Sequence, residues 1–206
     1  MAVTREQFES GMTYDAYKGQ MTRNREQLEQ NEQDLQLTAE DVQAFQSLPQ
    51  PLNVLALAED WCGDVIANLP VLGKLAEASS GKLNVRILLR DQEPGSQVMD
   101  EHLNKGQFKS IPTLVFLDEQ FSEVGVWAER PESVSQLREE KRQALYQQHP
   151  EWGDASKPIA ELPEDVRTQV QQATGAMRNE TKPFANAEVV RELREIAERA
   201  SSKQPA

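Results

Sequence analysis

Cys62 is the residue of this sequence that ordinary surface or core packing does not place. It is the single cysteine among 206 residues, so no intrachain disulfide can form and any chemistry of its sulfur is done without a second thiol. Glu59-Asp60-Trp61-Cys62-Gly63-Asp64 surrounds it with acids, a glycine and a tryptophan, a poor selection for packing alone. An apolar run ends just before this segment and a helical pattern starts just after it. The sulfur therefore belongs in a strand-to-helix turn, near the first unpaired amides of the helix. Those amides and the helix macrodipole favour a thiolate, the nucleophilic form. Glu59, Asp60 and Asp64 act against it, because each disfavours a second negative charge. The plainer alternative is a small, inert hydrophobe beside an apolar strand. Asp64 likewise has two roles open to it: an acid stabilising the first helical turn, or a group that shuttles a proton to the sulfur.

The remaining titratable residues offer little. His102 and His149 have no second histidine or cysteine near them in sequence, so no metal site is expected. No Gly-x-Ser-x-Gly elbow, P-loop or dinucleotide glycine pattern occurs, and no cofactor is expected. The chain carries 22 Lys and Arg against 34 Asp and Glu, a net charge of −12. That balance argues against nucleic acid and against an anionic membrane surface as partners. No apolar run approaches the roughly 18 to 20 residues a membrane span needs. The first residues, Met1-Ala2-Val3-Thr4-Arg5-Glu6-Gln7, turn polar at once and give no apolar signal core. The expected location is cytoplasmic.

The elements that must hold Cys62 follow from periodicity. Residues 1 to about 47 read as helical and rich in solvent contacts, with capping-box patterns at Thr4/Gln7 and Thr38/Asp41. Phe8, Met12, Tyr14, Tyr17, Met21 and Leu28 form a sparse apolar stripe there. Leu52–Ala58 is nearly continuous in apolar residues, the pattern of a strand buried on both faces. Val65, Ile66, Leu69, Leu72, Leu75 and Ala76 give a helix, and 83–89 a second strand, so a right-handed parallel crossover is expected. A short helix is predicted over 95–104. Thr113–Leu117 and 123–127, joined by Asp118-Glu119-Gln120, predict an antiparallel hairpin. Pro131 suits the start of the next helix. Beyond 148, two helices are predicted, at about 163–179 and 186–200, with a frayed tail over 201–206.

Trp61-Cys62-Gly63 at the end of a central strand, with Pro70 eight residues after the cysteine, resembles the active-site stretch of the thioredoxin superfamily. Ile111-Pro112-Thr113 is similar to the family's cis-proline loop, just before the hairpin. Arg90-Asp91-Gln92-Glu93-Pro94-Gly95 resembles the stretch after the second family strand. The resemblance covers 38–147. It implies an α/β fold: a thioredoxin-like three-layer α/β/α sandwich with a mixed central sheet and extra N- and C-terminal helices. It divides the chain into an N-terminal helical extension (1–37), a thioredoxin-like domain (38–147) and a C-terminal connector with a helical extension (148–206). Family residues carry over as Cys62 and Asp64 for chemistry, and Trp61, Gly63, Ile111 and Pro112 for substrate binding. The sequence departs from the pattern at Val65, where the resolving thiol would sit, at Ala56, where a buried acid would sit, and at Ala128 in place of a glycine. A dithiol cycle is therefore excluded for the isolated chain.

Two functions stay open on this basis. One is thiol-disulfide exchange through Cys62 alone, on a protein or low-molecular-weight thiol or disulfide, with an external thiol releasing the adduct. The other is a non-catalytic binding or adaptor module that uses the groove around Trp61 and Pro112. The apolar face Val189, Val190, Leu193, Ile196 and Ala197 must also be covered, either by the core sheet of the same chain or by a second copy in a homodimer through the terminal helices.

Overall fold

The computed structural model describes residues 3–202, which divide into two compact units, one of residues 3–130 with 189–202 and the other Pro131–Glu188. The frayed tail expected at 201–206 falls, from Lys203 on, outside the described residues.

The first unit opens with four short helices: α1 (Arg5–Glu9), α2 (Tyr14–Gln20), α3 (Arg25–Asp34) and α4 (Ala39–Gln46). Both capping boxes form: Gln7 N–H donates to Thr4 Oγ1 at 3.1 Å, and Asp41 N–H to Thr38 Oγ1, also at 3.1 Å. The stripe of aromatic and aliphatic residues is more than a set of surface anchors. Phe8, Tyr17, Met21 and Leu28 are buried in the main core, and Met12 exchanges two backbone hydrogen bonds with Ile87. The segment thus turns inward at each break rather than running as one surface helix.

β1 (Leu52–Ala58), α5 (Gly63–Ala78) and β2 (Leu83–Leu89) form the crossover, with β1 and β2 parallel from Leu52 opposite Leu83 to Ala58 opposite Leu89. α6 (Gly95–Glu101) ends earlier than its predicted limit, before His102. β3 (Thr113–Leu117) and β4 (Glu123–Ala128) then make the antiparallel hairpin, giving a mixed four-stranded sheet in the order β2-β1-β3-β4 with flanking helices. Five of the seven β1 residues, Val54 through Ala58, have no exposed surface. Each buried leucine or valine there contributes about 1.5–3 kcal/mol, which sets the end of β1 firmly.

α5 carries a proline in its interior. Pro70 has no N–H to give the carbonyl of Ile66, one turn earlier. Asn31 of α3 supplies the missing donor: its Nδ2 meets the Ile66 oxygen at 2.9 Å. Tyr14 packs closely on the same helix, where a Cβ at Gly73 would lie 2.6 Å from the ring.

The second unit contains α7 (Glu132–Gln148), 3-10 turns at Pro150–Trp152 and Ile159–Glu161, and the first part of α8 (Glu164–Ser202). Its core is Tyr146, Trp152, Leu162 and Val170, with His149 stacked on Trp152 at 4.2 Å. The two C-terminal helices expected from the sequence are one. Met177, Thr181, Ala185 and Val189 recur every fourth residue and are all buried, while Pro183 sits on the exposed side. The buried stripe carries the helix past the proline. The apolar face from Val189 to Ala200 joins the main core of the first unit, where Ile196 fits over Gly125 of β4 and Trp127 Nε1–H donates to Glu192 at 2.7 Å. That face is covered within the chain.

Asn31→Ala should destabilise the protein by about 1–2 kcal/mol, the cost of an unsatisfied carbonyl. In a Pro70→Ala background, where residue 70 regains its N–H, the same change should cost markedly less. Denaturant unfolding of the four proteins measures the coupling; equal costs in both backgrounds would show that Asn31 does not compensate for the proline.

Candidate functional site

The fully buried β1 ends at Ala58, so the chain emerges from the core at Glu59 and turns into α5 at Cys62. Cys62 is the N-cap of α5, with extended backbone angles, and its side chain is partly buried. Its sulfur does not cap the helix amides as the sequence suggests. No side-chain cap bond forms; the thiol instead donates to the carbonyl oxygen of Ile111, with a sulfur–oxygen distance of 3.5 Å. The Ile111–Pro112 peptide is cis, as is Glu93–Pro94. The fold therefore brings the Trp61–Asp64 turn against the Ile111–Pro112 loop. Gly63 opens the helix and is exposed. Val65, one turn further, has no exposed surface and packs as a core residue.

Trp61 lies beside the sulfur with 44% of its surface exposed. The Arg90 guanidinium sits 5.0 Å from its ring centroid, within the range of a cation–π contact. Arg90 is fixed by Asp91, and its Nη1 donates to the Lys109 carbonyl at 3.1 Å. Phe108, next to Lys109, is more than half exposed.

Each of the three carboxylates near Cys62 is matched by its own donors. Glu59 accepts the Asp91 N–H at 2.9 Å. Asp64 is held bidentately by Arg130, which also binds Glu129. Glu129 in turn accepts from Ser110 Oγ at 2.9 Å, and its backbone carbonyl accepts from Asn68 Nδ2 at 2.8 Å. This network joins the first turns of α5, the end of β4 and the residue ahead of the Ile111–Pro112 loop. Asp60 faces the N-terminal segment. One of its oxygens accepts from Thr22 N–H at 2.8 Å, Arg23 N–H at 3.0 Å and Thr22 Oγ1 at 3.1 Å. Asn24, in the left-handed region at φ 55, gives its Nδ2–H to the Asp60 carbonyl at 2.9 Å. Burial alone would make the Asp60 carboxyl a weaker acid. The two backbone donors, the Thr22 hydroxyl and the Arg23 charge outweigh it, and the carboxyl is held below its ordinary range.

Cys62, Trp61, Gly63, Asp64, Ile111 and Pro112, the residues singled out from the sequence, fall on this one turn and the loop against it; Arg130, Thr22, Arg23, Asn24 and Arg90, which the sequence did not single out, hold the acids and the tryptophan around them. Arg130 acts on Asp64 across 66 residues of chain and Thr22 on Asp60 across 38, and no local pattern marks either pair. His102 is occupied elsewhere, its ring nitrogens meeting the Val98 carbonyl at 2.7 Å and the Glu123 carboxylate at 2.9 Å. Among the described residues, no group of three His, Cys, Asp or Glu is placed to hold a metal ion, and no helix is long and apolar enough to cross a membrane.

A family model described as Thioredoxin matches residues 11–144, a span that takes in three of the four N-terminal helices as well as the sheet. No curated protein matches. Two crystal structures are similar in fold. An HIV 4E10 epitope-scaffold shares 17% identity at a TM-score of 0.59, covering 96% of this chain and 98% of its own. A protein of unknown function from Pseudomonas aeruginosa shares 19% identity at a TM-score of 0.56, covering 87% of this chain and 99% of its own.

A carboxyl made more acidic by folding contributes stability above its unfolded value and loses it as pH falls through its folded value. The Thr22 and Arg23 amides should therefore stay protected from hydrogen exchange at neutral pH and lose protection below about pH 4. Asp60→Ala should remove about tenfold of that protection at pH 7 while leaving the α1 amides unchanged. Undiminished protection in the variant would show that Asp60 does not hold the segment.

Proposed function

We propose, for a chain that belongs to the thioredoxin family, that Cys62 performs thiol-disulfide exchange as a single thiol, with an external low-molecular-weight thiol completing the cycle. The observation that supports this most is the placement of the sulfur. It stands at the head of α5, within 3.5 Å of the Ile111 carbonyl, with the exposed Trp61 alongside. An extended chain carrying a disulfide can be held against the backbone of the Ile111–Pro112 loop, as an added strand is held at a sheet edge.

The Cys62 thiolate attacks one sulfur of a mixed disulfide R–S–S–R′. A Cys62–S–S–R bond forms, the R–S–S–R′ bond breaks, and R′S⁻ leaves and takes a proton from solvent. An external thiolate R″S⁻ then attacks the Cys62 adduct at the R sulfur. R–S–S–R″ leaves and the Cys62 thiolate is regenerated. When R and R″ are the same small thiol, the net reaction is R–S–S–R′ + RSH → R′SH + R–S–S–R: R′ is reduced, and one external thiol is oxidised as it joins the R already held in the mixed disulfide. Such a cycle needs no second cysteine in the chain, in keeping with Val65. It does need a compartment rich in small thiols, and a cytoplasmic location meets that requirement. The substrate is a protein or low-molecular-weight disulfide.

Asp64 has a structural role in this reading. Both of its oxygens are taken up by Arg130, so it braces the first turn of α5 and its charge is neutralised close to the sulfur.

A second reading is favoured by the thiol–carbonyl hydrogen bond itself. Ile111 offers the sulfur an acceptor, which suits a protonated thiol, and a groove that only binds an extended partner would have the same geometry.

With a glutathionylated peptide and reduced glutathione at pH 7, the wild-type chain should release peptide thiol and form a trappable Cys62 adduct. Cys62→Ser should abolish both. Val65→Cys should make release less dependent on external thiol, because a neighbouring thiol then resolves the adduct. Wild-type protein that forms no adduct and no product would remove exchange and leave the binding module.

A further inference from the structure

Glu129 is bound to both α5 and the Ile111–Pro112 loop, and it takes up a conformation that a glutamate rarely adopts. Its φ is 65, in the left-handed region where a side chain crowds the backbone. Such residues persist where their surroundings over-determine them, and here every polar group of Glu129 is engaged. Its N–H donates to the Pro112 carbonyl at 2.8 Å, and its own carbonyl accepts from Asn68 Nδ2 of α5 at 2.8 Å. One carboxylate oxygen accepts from Ser110 Oγ at 2.9 Å and from Asn104 Nδ2 at 3.4 Å. The other accepts from Arg130 at 2.6 Å, and the same guanidinium holds Asp64 of α5.

Ser110 and Pro112 stand on either side of Ile111, so Glu129 grips the loop just before and just after the carbonyl that accepts the Cys62 thiol. Asn68 and Asp64 lie on the helix that starts after Cys62. The sulfur is thus placed between backbone groups that act on its proton in opposite senses. The Ile111 oxygen accepts from the thiol and favours the protonated form. The amides that open α5, which the Cys62 side chain leaves uncapped, favour the thiolate. Whatever fixes the position of the oxygen fixes that balance. Two further ties on the loop do not lead to α5: Thr113 Oγ1 donates to the Ser110 carbonyl at 2.8 Å, closing the loop on itself, and Arg90 holds the Lys109 carbonyl.

We propose that Glu129 is a positioning residue for Cys62: through Ser110 and Pro112 it holds the Ile111 carbonyl against the sulfur, and so restrains ionisation of the thiol. The role deepens, and rests on, the reading of Cys62 as the exchanging thiol, but it is measured on the sulfur itself, apart from turnover.

The test is the pH dependence of alkylation of the single cysteine by iodoacetamide in two variants. Ser110→Ala cuts the link from the loop side and changes no charge. Glu59 stays with Asp91, Asp60 with Thr22 and Arg23, Asp64 with Arg130, Arg90 with Asp91 and Lys109 with Asp100. Tyr17 of α2 stays a neutral phenol, its ionisation pushed up by burial. Glu129→Gly removes the carboxylate and leaves a residue at ease in the left-handed region. In both variants the pH–rate profile should move to lower pH, and the rate on its rising limb should increase about twofold. Loss of a neutral hydrogen bond would give more than that, but the less basic thiolate is also a weaker nucleophile. The double variant should react no faster than Glu129→Gly, since both changes break the same bond. An unchanged profile in Ser110→Ala overturns the proposal. Effects that add in the double variant overturn it as well, because Glu129 would then act by its charge and not through Ser110. Glutathione exchange is measured on the same proteins. A wild type that does not exchange, with alkylation that responds to Ser110→Ala, sinks the exchange reading alone; normal exchange with an unresponsive profile sinks the Glu129 role alone.

Discussion

The geometry around Cys62 depends on the carboxylate of Asp60, which draws in donors from nearly forty residues upstream. Thr22 and Arg23 give it three hydrogen bonds, and Asn24 returns a fourth to its carbonyl. A carboxylate that accepts two backbone N–H groups and a hydroxyl gains charge-assisted bonds, about twice as strong as neutral ones. The turn leading to Cys62 is thus held from both sides. β1 fixes where it begins, through hydrophobic burial, and the α2–α3 connection fixes where it lies, through polar contacts.

Three acids within three residues of a cysteine would disfavour a thiolate if their charges were uncompensated. The fold matches each to a different partner from a different part of the chain: Glu59 to the backbone after β2, Asp60 to the N-terminal helices, Asp64 to Arg130 after β4. The acids that looked like an obstacle to chemistry in the sequence act as three fasteners that join the turn to its surroundings. Their negative charge is largely satisfied before the sulfur is considered.

How much of this was legible follows from the range of the interactions. β1, β2 and β3 have the residue limits that their apolar runs suggest, because a strand buried on both faces needs only its own residues to show it. The capping boxes at Thr4 and Thr38 are equally local and equally readable. The cis Ile111–Pro112 peptide was readable only through the family pattern. The course of 1–37 was not readable, since its breaks are set by distant partners: Met12 pairs with Ile87 of β2, Thr22 with Asp60 and Asn31 with Ile66 of α5. α8 was misjudged for a related reason: Pro183 is a local stop signal, and the buried four-residue spacing from Met177 to Val189 overrides it. Arg130 gave no sign of its role, being one arginine among many until the fold sets it on Asp64.

The loss of a second thiol has a structural side that the chemistry alone does not reveal. Val65 is fully buried beside Ile66 and Leu69 on the inner face of α5. In a dithiol site a second sulfur stands at this position, one helical turn from the first; here the position is filled by a β-branched, stiff core residue. Packing at that point anchors the first turn of α5 from below while Arg130 braces it at Asp64. Cys62 stands at the head of this braced turn, partly buried, with the exposed Trp61 and Gly63 on either side of it in the chain. On the exchange reading proposed above, such a single thiol exchanges with what arrives from solution or what binds along the Ile111–Pro112 loop, and its specificity lies in the surface around Trp61, Arg90 and Phe108, where Trp61 and Phe108 are exposed.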